Sequence, residues 1–151
     1  MIYRLSGRSI DRLEDIDSRL SQVVHEAINA TKIDFGVTCG RRTELEQREL
    51  VDSGASKTMN SKHLTGHAVD LVAYINGRVS WELSLYDDIA DAMRSSAFNV
   101  GVPIRWGAAW NVTDIRYWEG SMESAMNHYI DTRRSEGKRP FIDAPHFEIN
   151  E

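Results

Sequence analysis

The feature that most constrains the fold is a β-hairpin signature in the middle of the chain. Residues 68–75 form an apolar, β-prone run that ends at Asn76-Gly77, and a second β-prone run over residues 78–81 follows at once. An Asn-Gly pair between two such runs favours a tight turn that joins antiparallel strands. The sequence therefore predicts an antiparallel sheet built around this hairpin.

Helical and extended segments alternate irregularly around the hairpin. Apolar residues at spacings of three and four predict an amphipathic helix over residues 9–30, with Ser9 as its N-cap. The run Thr43-Glu-Leu-Glu46 predicts a capping box that opens a second helix, which ends at Gly54. The other predicted elements are helices over residues 84–100 and 121–134, and strands over residues 35–39, 104–106 and 146–149. This order predicts an α+β fold, a small mostly antiparallel sheet with packed helices, over a doubly wound sheet.

The length of 151 residues predicts one domain over residues 1–151, and we expect a monomer. Hydrophobic residues make up 41% and charged residues 27% of the chain, as in ordinary globular proteins. The net charge of −5 argues against a nucleic-acid binder, although one local basic cluster comprises Arg133, Arg134, Lys138 and Arg139. No run is long and apolar enough for a signal peptide or a membrane helix. We therefore expect synthesis and folding in a cytoplasm and no stable membrane insertion.

One acidic residue stands out within the central apolar run. Asp70 lies in Ala68-Val-Asp-Leu-Val-Ala73, where a carboxylate is costly unless it is paired, hydrogen-bonded or bound to a metal. His63 precedes it by seven residues, and His146 opens the last predicted strand. Two imidazoles and one carboxylate form a standard hydrolytic zinc set that leaves a fourth position for water. Spacing alone leaves a salt-bridged Asp70 and structural histidines as alternatives.

Three motifs follow one another in the order found in a known family. The pattern Ser-x-His-x-x-Gly-x-Ala-x-Asp is met by Ser61, His63, Gly66, Ala68 and Asp70. Acid-x-x-His is met by Asp143 and His146, and Gly-x-Arg-Thr with a later Gln is met by Gly40, Arg42, Thr43 and Gln47. Together they resemble the zinc D,D-peptidase and L-alanyl-D-glutamate peptidase family, which shares its fold with the Hedgehog signalling domain. Segments 73–81 and 105–111 look most like the phage endolysins of this family, which cut between L-Ala and D-Glu.

The resemblance implies a ligand set and a general base. By the match of motifs, His63, Asp70 and His146 bind Zn²⁺. Asp143 takes the place of the general base, which many relatives fill with Glu. Glu148, two residues beyond His146 on the same strand face, is the alternative base.

The resemblance also implies roles for residues around the ligands. Arg42 stabilises the negative charge of the tetrahedral intermediate or binds a substrate carboxylate, and Gln47 hydrogen-bonds the substrate backbone. By residue type alone, a surface arginine at a helix start and an exposed helical glutamine are the alternatives. The motif places a variable residue at His67, which is read as a polar neighbour of the site or merely polar. Trp106 and Trp110 line the substrate groove or are buried.

The resemblance implies a peptidoglycan hydrolase, a phage endolysin that cleaves the L-alanyl-D-glutamate bond of the stem peptide. Such a protein is made in the host cytoplasm and acts on the wall after the membrane is permeabilised. The alternatives within this fold are a D,D-carboxypeptidase or dipeptidase and a non-catalytic, zinc-stabilised wall-binding module. A thiol enzyme using Cys39 is another class, although a buried inert cysteine is more common. A serine triad of Ser61, His63 and Asp70 lacks the expected nucleophile elbow.

Overall fold

The computed structural model describes residues 2–151 and has an α+β architecture. Its five strands are β1 (Asp34–Cys39), β2 (Ala68–Ile75), β3 (Arg78–Ser80), β4 (Ile104–Trp106) and β5 (His146–Ile149). Its five α-helices are α1 (Gly7–Leu13), α2 (Ser18–Ala30), α3 (Glu44–Asp52), α4 (Leu83–Val100) and α5 (Met122–Ser135). Two 3₁₀ turns, Lys62–Thr65 and Ile115–Tyr117, lie in segments between the predicted helices and strands. The predicted fold class is confirmed.

The sheet places β2 at its centre. The strand order is β1-β2-β5-β4, with β3 paired to β2, and the neighbouring strands run antiparallel. The predicted hairpin turn is present, with φ of 52° at Asn76 and 77° at Gly77. Because β2 lies between β1 and β5, Asp70 is opposite Cys39 on one side and His146 on the other. The register therefore brings three chemically active residues together in the middle of the sheet.

Helices and sheet share one hydrophobic core. Helices α2 and α4 pack against each other, and α5 packs against α4. The largest fully buried side chains of this core include Leu20, Phe35, Leu71, Tyr86, Ile89, Met93, Trp106 and Phe147. None of the helices within residues 2–151 combines the length and the apolarity needed to cross a bilayer. The core fixes the relative positions of β2, β5 and the loops at their ends.

The prediction of one helix over residues 9–30 is wrong, because the segment forms two helices. Helix α1 begins after Ser6, which accepts the N–H of Ser9 at 3.2 Å, so the N-cap is Ser6. Helix α2 begins after Asp17, whose carboxylate accepts the N–H of Arg19 at 2.9 Å. The N–H of Asp17 donates to the carbonyl of Gly66 at 2.9 Å. The break therefore docks the turn between the helices against the loop that carries His63.

Candidate metal centre

Three structural elements place the predicted ligands His63 and His146 next to Oδ1 of the third predicted ligand, Asp70. Asp70 lies on β2 directly opposite His146 on β5. His63 lies in the 3₁₀ turn Lys62–Thr65, where the N-cap Ser61 accepts its N–H at 3.2 Å and Gly66 ends the turn with φ of 77°. Oδ1 of Asp70 is 3.3 Å from Nε2 of His63 and 3.3 Å from Nδ1 of His146. The structure therefore assembles the three side chains named by the sequence.

The surroundings of Asp70 fit a metal ion. Its Oδ1 is buried and has no hydrogen-bond partner, which is costly for a carboxylate oxygen. The two distances of 3.3 Å lie beyond the usual range of hydrogen bonds. Ligand atoms at about 2.0–2.1 Å from a tetrahedral ion lie about 3.3 Å from one another, which is the spacing of Oδ1 from each of the two imidazole nitrogens. The two imidazoles fall in separate groups of possible metal-binding residues, His63 with Cys39 and Asp70, and His146 with Asp70 and Asp143. The residues present can therefore hold a metal that satisfies the buried oxygen.

The remaining ring nitrogen of each histidine is held by the protein. Nδ1 of His63 is 2.8 Å from the carbonyl oxygen of Gly40. Nε2 of His146 is 2.8 Å from Oε1 of Glu148. Both nitrogens act as donors to these oxygens, which leaves a lone pair on the nitrogens that face Asp70. Outer hydrogen bonds of this kind orient metal-binding imidazoles.

Without a metal, the site carries strongly coupled charges. Burial disfavours the charge on His63, but the interactions with Asp70 and Cys39 outweigh it and raise its pKa to about 10. The pKa of His146 is also raised, because Asp70 and Glu148 outweigh its burial. Burial opposes ionisation of Asp70, yet the two imidazoles hold its pKa well below the ordinary value. Protonated imidazoles compete with a metal, so metal binding must release protons.

Glu148 is a partner of His146 and lies away from the nitrogen that faces Asp70. It is 5% exposed and bonds to His146, to Lys62 at 3.1 Å and to Arg105 at 2.9 Å. Burial raises its pKa, but these three partners outweigh that effect and lower the pKa to about 2. A carboxylate with so low a pKa is a poor proton acceptor. The geometry therefore gives Glu148 the task of positioning His146.

Asp143 lies beside the ligands. Asp143, Asp70 and His146 each offer an atom within 4.8 Å of the others. Burial, followed by the charge of Asp70, raises the pKa of Asp143. Its backbone N–H donates to the carbonyl of Gly107 at 2.8 Å, and the N–H of Gly107 donates to the carbonyl of His146 at 2.8 Å. A side chain at Gly107 would overlap the carbonyl of Asp143, so only a glycine lets the Asp143 loop pack this closely beside the site, a requirement that sequence reasoning missed.

A buried glutamine fixes Arg42 at the edge of the site. The guanidinium donates to Oε1 of Gln47 at 2.7 Å and lies 3.9 Å from Oδ2 of Asp70. Gln47 is fully buried and donates to the carbonyl of Thr58 at 2.6 Å. Both interpretations of Gln47 from sequence, an exposed residue and a substrate-binding residue, are therefore wrong. The predicted capping box of α3 is confirmed, and it places Arg42 one residue before the N-cap Thr43.

Cys39 lies at the site itself, in contact with His63 and Arg42. The register of β1 against β2 shifts between Val37 and Cys39, which sets Cys39 opposite Asp70. Its Sγ is 3.6 Å from Nδ1 of His63 and 3.3 Å from Arg42. Burial raises the thiol pKa, but His63 and Arg42 outweigh it and lower the pKa. Cys39, His63 and Asp70 thus form a second cluster with atoms within 4.8 Å of one another.

Of the other residues predicted near the site, one borders it and two lie elsewhere. His67 is 3.6 Å from Asp17 and belongs to the helix-break contact. Trp106 is fully buried in the core. Trp110 packs its ring 5.4 Å from that of His146, so of the two tryptophans it is Trp110 that borders the site.

The comparisons with known proteins agree with this geometry. Residues 1–150 match the sequence profile of the family described as phage L-alanyl-D-glutamate peptidase. The L-alanyl-D-glutamate peptidase of Escherichia phage T5 is 28% identical over 117 residues, which are 75% of this chain and 85% of that protein. The crystal structure of the Serratia marcescens L-Ala D-Glu endopeptidase ChiX superposes with a TM-score of 0.73 at 32% identity, covering 98% of this chain and 90% of that one. The enzyme class predicted from the sequence is confirmed, because the chain belongs to the phage L-alanyl-D-glutamate peptidase family.

Proposed function

We propose that this protein hydrolyses the L-alanyl-D-glutamate amide bond of peptidoglycan stem peptides, with a zinc ion held by His63, Asp70 and His146. The observation that carries the proposal is the buried Oδ1 of Asp70, which has no hydrogen bond and lies 3.3 Å from one nitrogen of each imidazole. Two imidazoles and one carboxylate form a typical hydrolytic zinc set. The choice of bond rests on the family and on the names of its relatives.

When bound, zinc lowers the pKa of a water molecule to about 7 and polarises the scissile carbonyl. Asp143 accepts the proton of the attacking water and passes it to the leaving amine of D-Glu. Its raised pKa suits a group that must both accept and return a proton. Arg42 lies 3.9 Å from Oδ2 of Asp70, and its guanidinium stabilises the negative charge that develops on the carbonyl oxygen.

Other residues keep this machinery in place. The carbonyl of Gly40 and the carboxylate of Glu148 orient the two imidazoles. Gln47 holds the guanidinium of Arg42 at the edge of the site. A preorganised set of groups of this kind avoids the cost of reorganisation during the reaction.

The direct test is digestion of purified peptidoglycan with analysis of the products by mass spectrometry. The expected products are stem peptides that begin with D-Glu and glycan strands that keep L-Ala, without new reducing sugars. An Asp143→Asn variant serves as the control with an intact ligand set. New reducing ends would identify a glycosidase, and release of free D-Ala would identify a D,D-carboxypeptidase; either result would contradict the proposal.

A chelator and a thiol reagent separate the metal mechanism from a thiol mechanism. Removal of the metal by a chelator should abolish hydrolysis, and added Zn²⁺ should restore it. Selective alkylation of Cys39 tests the thiol mechanism, because the Sγ of Cys39 lies only 3.6 Å from His63. Full activity in the presence of the chelator would exclude zinc from the reaction.

We also propose that the protein is made in the host cytoplasm and reaches the wall after the membrane is permeabilised. The support is its membership of a family of phage peptidases. Bacteria that accumulate the protein should stay intact until chloroform opens the membrane, and they should then lyse quickly. Lysis at the same rate without chloroform would contradict this proposal.

A further inference from the structure

A groove lies along α5, next to the candidate metal centre. It has a volume of about 400 Å³, and its walls include Trp110, Tyr129, Thr132, Arg133, Glu136 and Phe141. The ring of Trp110 lies 5.4 Å from that of His146 and 6.2 Å from that of Phe141. A single tryptophan therefore borders both the metal ligands and the groove.

The loop that forms one wall of the groove also carries the proposed general base. Phe141 is 59% exposed and precedes Asp143 by two residues. Its backbone N–H donates to the hydroxyl of Tyr129 on α5 at 3.1 Å. This bond ties the loop to the helix, so the groove is formed before a substrate arrives. A peptide placed with its scissile bond at Asp143 has this groove directly beside it.

Arg133 brings an unbalanced positive charge to the groove. Its guanidinium has five N–H donors, but its hydrogen bond within residues 2–151 is to the carbonyl of Arg139 at 3.3 Å. Its Nε is buried without an acceptor, as is Nε1 of Trp110. The acidic neighbour Glu136 pairs with Lys138 at 3.3 Å. An occupant that supplies oxygen acceptors and a negative charge would satisfy the terminal N–H groups of the Arg133 guanidinium, which make one hydrogen bond within residues 2–151.

We propose that the groove binds the D-Glu side of the stem peptide and that Arg133 recognises a free carboxylate of the substrate. This inference rests on the proposed function. A planar guanidinium matches a carboxylate through two parallel hydrogen bonds, and the rings of Trp110 and Phe141 offer apolar surface to the peptide beside it. Two carboxylates of the substrate have this chemistry: the α-carboxylate of γ-linked D-Glu and the side-chain carboxylate of diaminopimelate.

Three soluble substrates distinguish the two carboxylates. They are L-Ala-γ-D-Glu-diaminopimelate, the same peptide with the α-carboxylate of D-Glu amidated, and L-Ala-γ-D-Glu-L-Lys, which lacks the side-chain carboxylate. The wild-type zinc enzyme should lose roughly 10- to 100-fold in kcat/KM on the one peptide that lacks the recognised group. Most of this loss should appear in KM, since the contact lies away from the reacting atoms.

Variants of Arg133 test whether this residue causes the preference among the three peptides. Arg133→Gln should lose the same roughly 10- to 100-fold on the full substrate and should no longer discriminate among the three peptides. Arg133→Lys keeps the charge and should recover part of the discrimination. Arg134→Gln is the matched control, because Arg134 is the exposed neighbour on the same helix, and it should behave like the wild type. Melting temperatures of all variants report whether the fold is intact.

Binding of the dipeptide γ-D-Glu-diaminopimelate, measured by calorimetry, tests the groove without turnover. Wild type should bind it more tightly than Arg133→Gln by a similar factor. Equal binding, together with equal preference among the three substrates, would overturn the assignment of Arg133 even if the L-Ala–D-Glu bond is cut. Absence of any cleavage by the wild-type zinc enzyme would instead overturn the proposed function, and the binding measurement would then decide on Arg133 alone.

Discussion

Oδ1 of Asp70, at the centre of the sheet, and Oδ1 of Asp87, on α4, are both buried and lack a hydrogen bond. Their surroundings are opposite in charge. Asp70 faces two imidazoles, which hold its pKa well below the ordinary value. Asp87 is 7% exposed, and burial with the neighbouring carboxylates, Glu123 first, raises its pKa to about 6.

This comparison shows that an unsatisfied carboxylate oxygen alone does not mark a metal site. Within residues 2–151, the clusters of metal-binding groups lie around Asp70, and Asp87 is in none of them. The charged groups that act on Asp87 are all carboxylates, Glu123, Asp88 and Asp91. At Asp70 the same lack of a hydrogen bond coincides with two oriented imidazoles. It is the set of donors around the oxygen that indicates function.

The largest effect on turnover with the metal retained should come from Asp143→Asn. Removal of a general base costs about 10²–10⁴-fold in rate, and the amide preserves shape and metal ligands. Hydrolysis of stem peptides and zinc content are measured together. The control is Asp87→Asn, which makes the same chemical change on α4, away from the site, and should leave the rate unchanged. A mild effect of Asp143→Asn alongside a severe effect of Glu148→Gln on kcat would reverse the assignment of the base.

Arg42→Ala should lower kcat by about 10²–10³-fold, as expected for the loss of one group that stabilises an oxyanion. Zinc content should be unchanged, because Arg42 is not a ligand in the proposed set. Cys39→Ser is the matched change, since Cys39 contacts the same guanidinium at 3.3 Å, and it should stay active. An inactive, folded Cys39→Ser protein with full zinc would revive the thiol mechanism.

Glu148→Gln should weaken zinc binding by about 10- to 100-fold, the usual cost of losing a carboxylate that orients a metal-binding imidazole. The reason is its bond of 2.8 Å to Nε2 of His146. Competition with a chromophoric chelator measures the affinity. Zinc affinity equal to that of the wild type would show that Glu148 does not position His146.

Asp87→Asn should raise the free energy of unfolding at pH 7.5 by about 1–3 kcal/mol. The folded-state pKa of about 6 lies above the ordinary value of 3.8, so ionisation is harder in the folded protein. The stability associated with Asp87 is therefore fully present below pH 3.8 and is lost as the pH rises through 6. Urea unfolding at pH 7.5 and pH 3.5 should show a gain at the first pH and none at the second; equal gains would contradict this account.

Much of the fold followed from local patterns. The Asn76-Gly77 turn has one favoured geometry, and the apolar run of residues 68–75 predicted β2 with the bounds observed. The predicted strands over residues 104–106 and 146–149 also have the observed bounds of β4 and β5. The break between α1 and α2 did not follow, because Asp17 depends on a contact with Gly66 that is distant in sequence. Because the apolar residues keep a helical spacing across residues 9–30, the sequence pattern does not reveal the break between α1 and α2.

The candidate site was predictable where a motif names residue types, and less so where partners come from elsewhere in the chain. The motifs named His63, Asp70 and His146, which meet in the structure. The burial of Gln47 depends on a loop 11 residues further along the chain. Cys39 reaches His63 only through a shift in strand register, which no pattern in the sequence reveals.

The proposed mechanism depends on one zinc ion held by His63, Asp70 and His146. The direct measurement is zinc content per chain, by mass spectrometry of the native protein, in the wild type and in His63→Ala, Asp70→Ala and His146→Ala, with Asp87→Ala as the control in the other region. We expect about one zinc per chain in the wild type and the control, and none in the three ligand variants. Full zinc occupancy and activity in any of the three would contradict it.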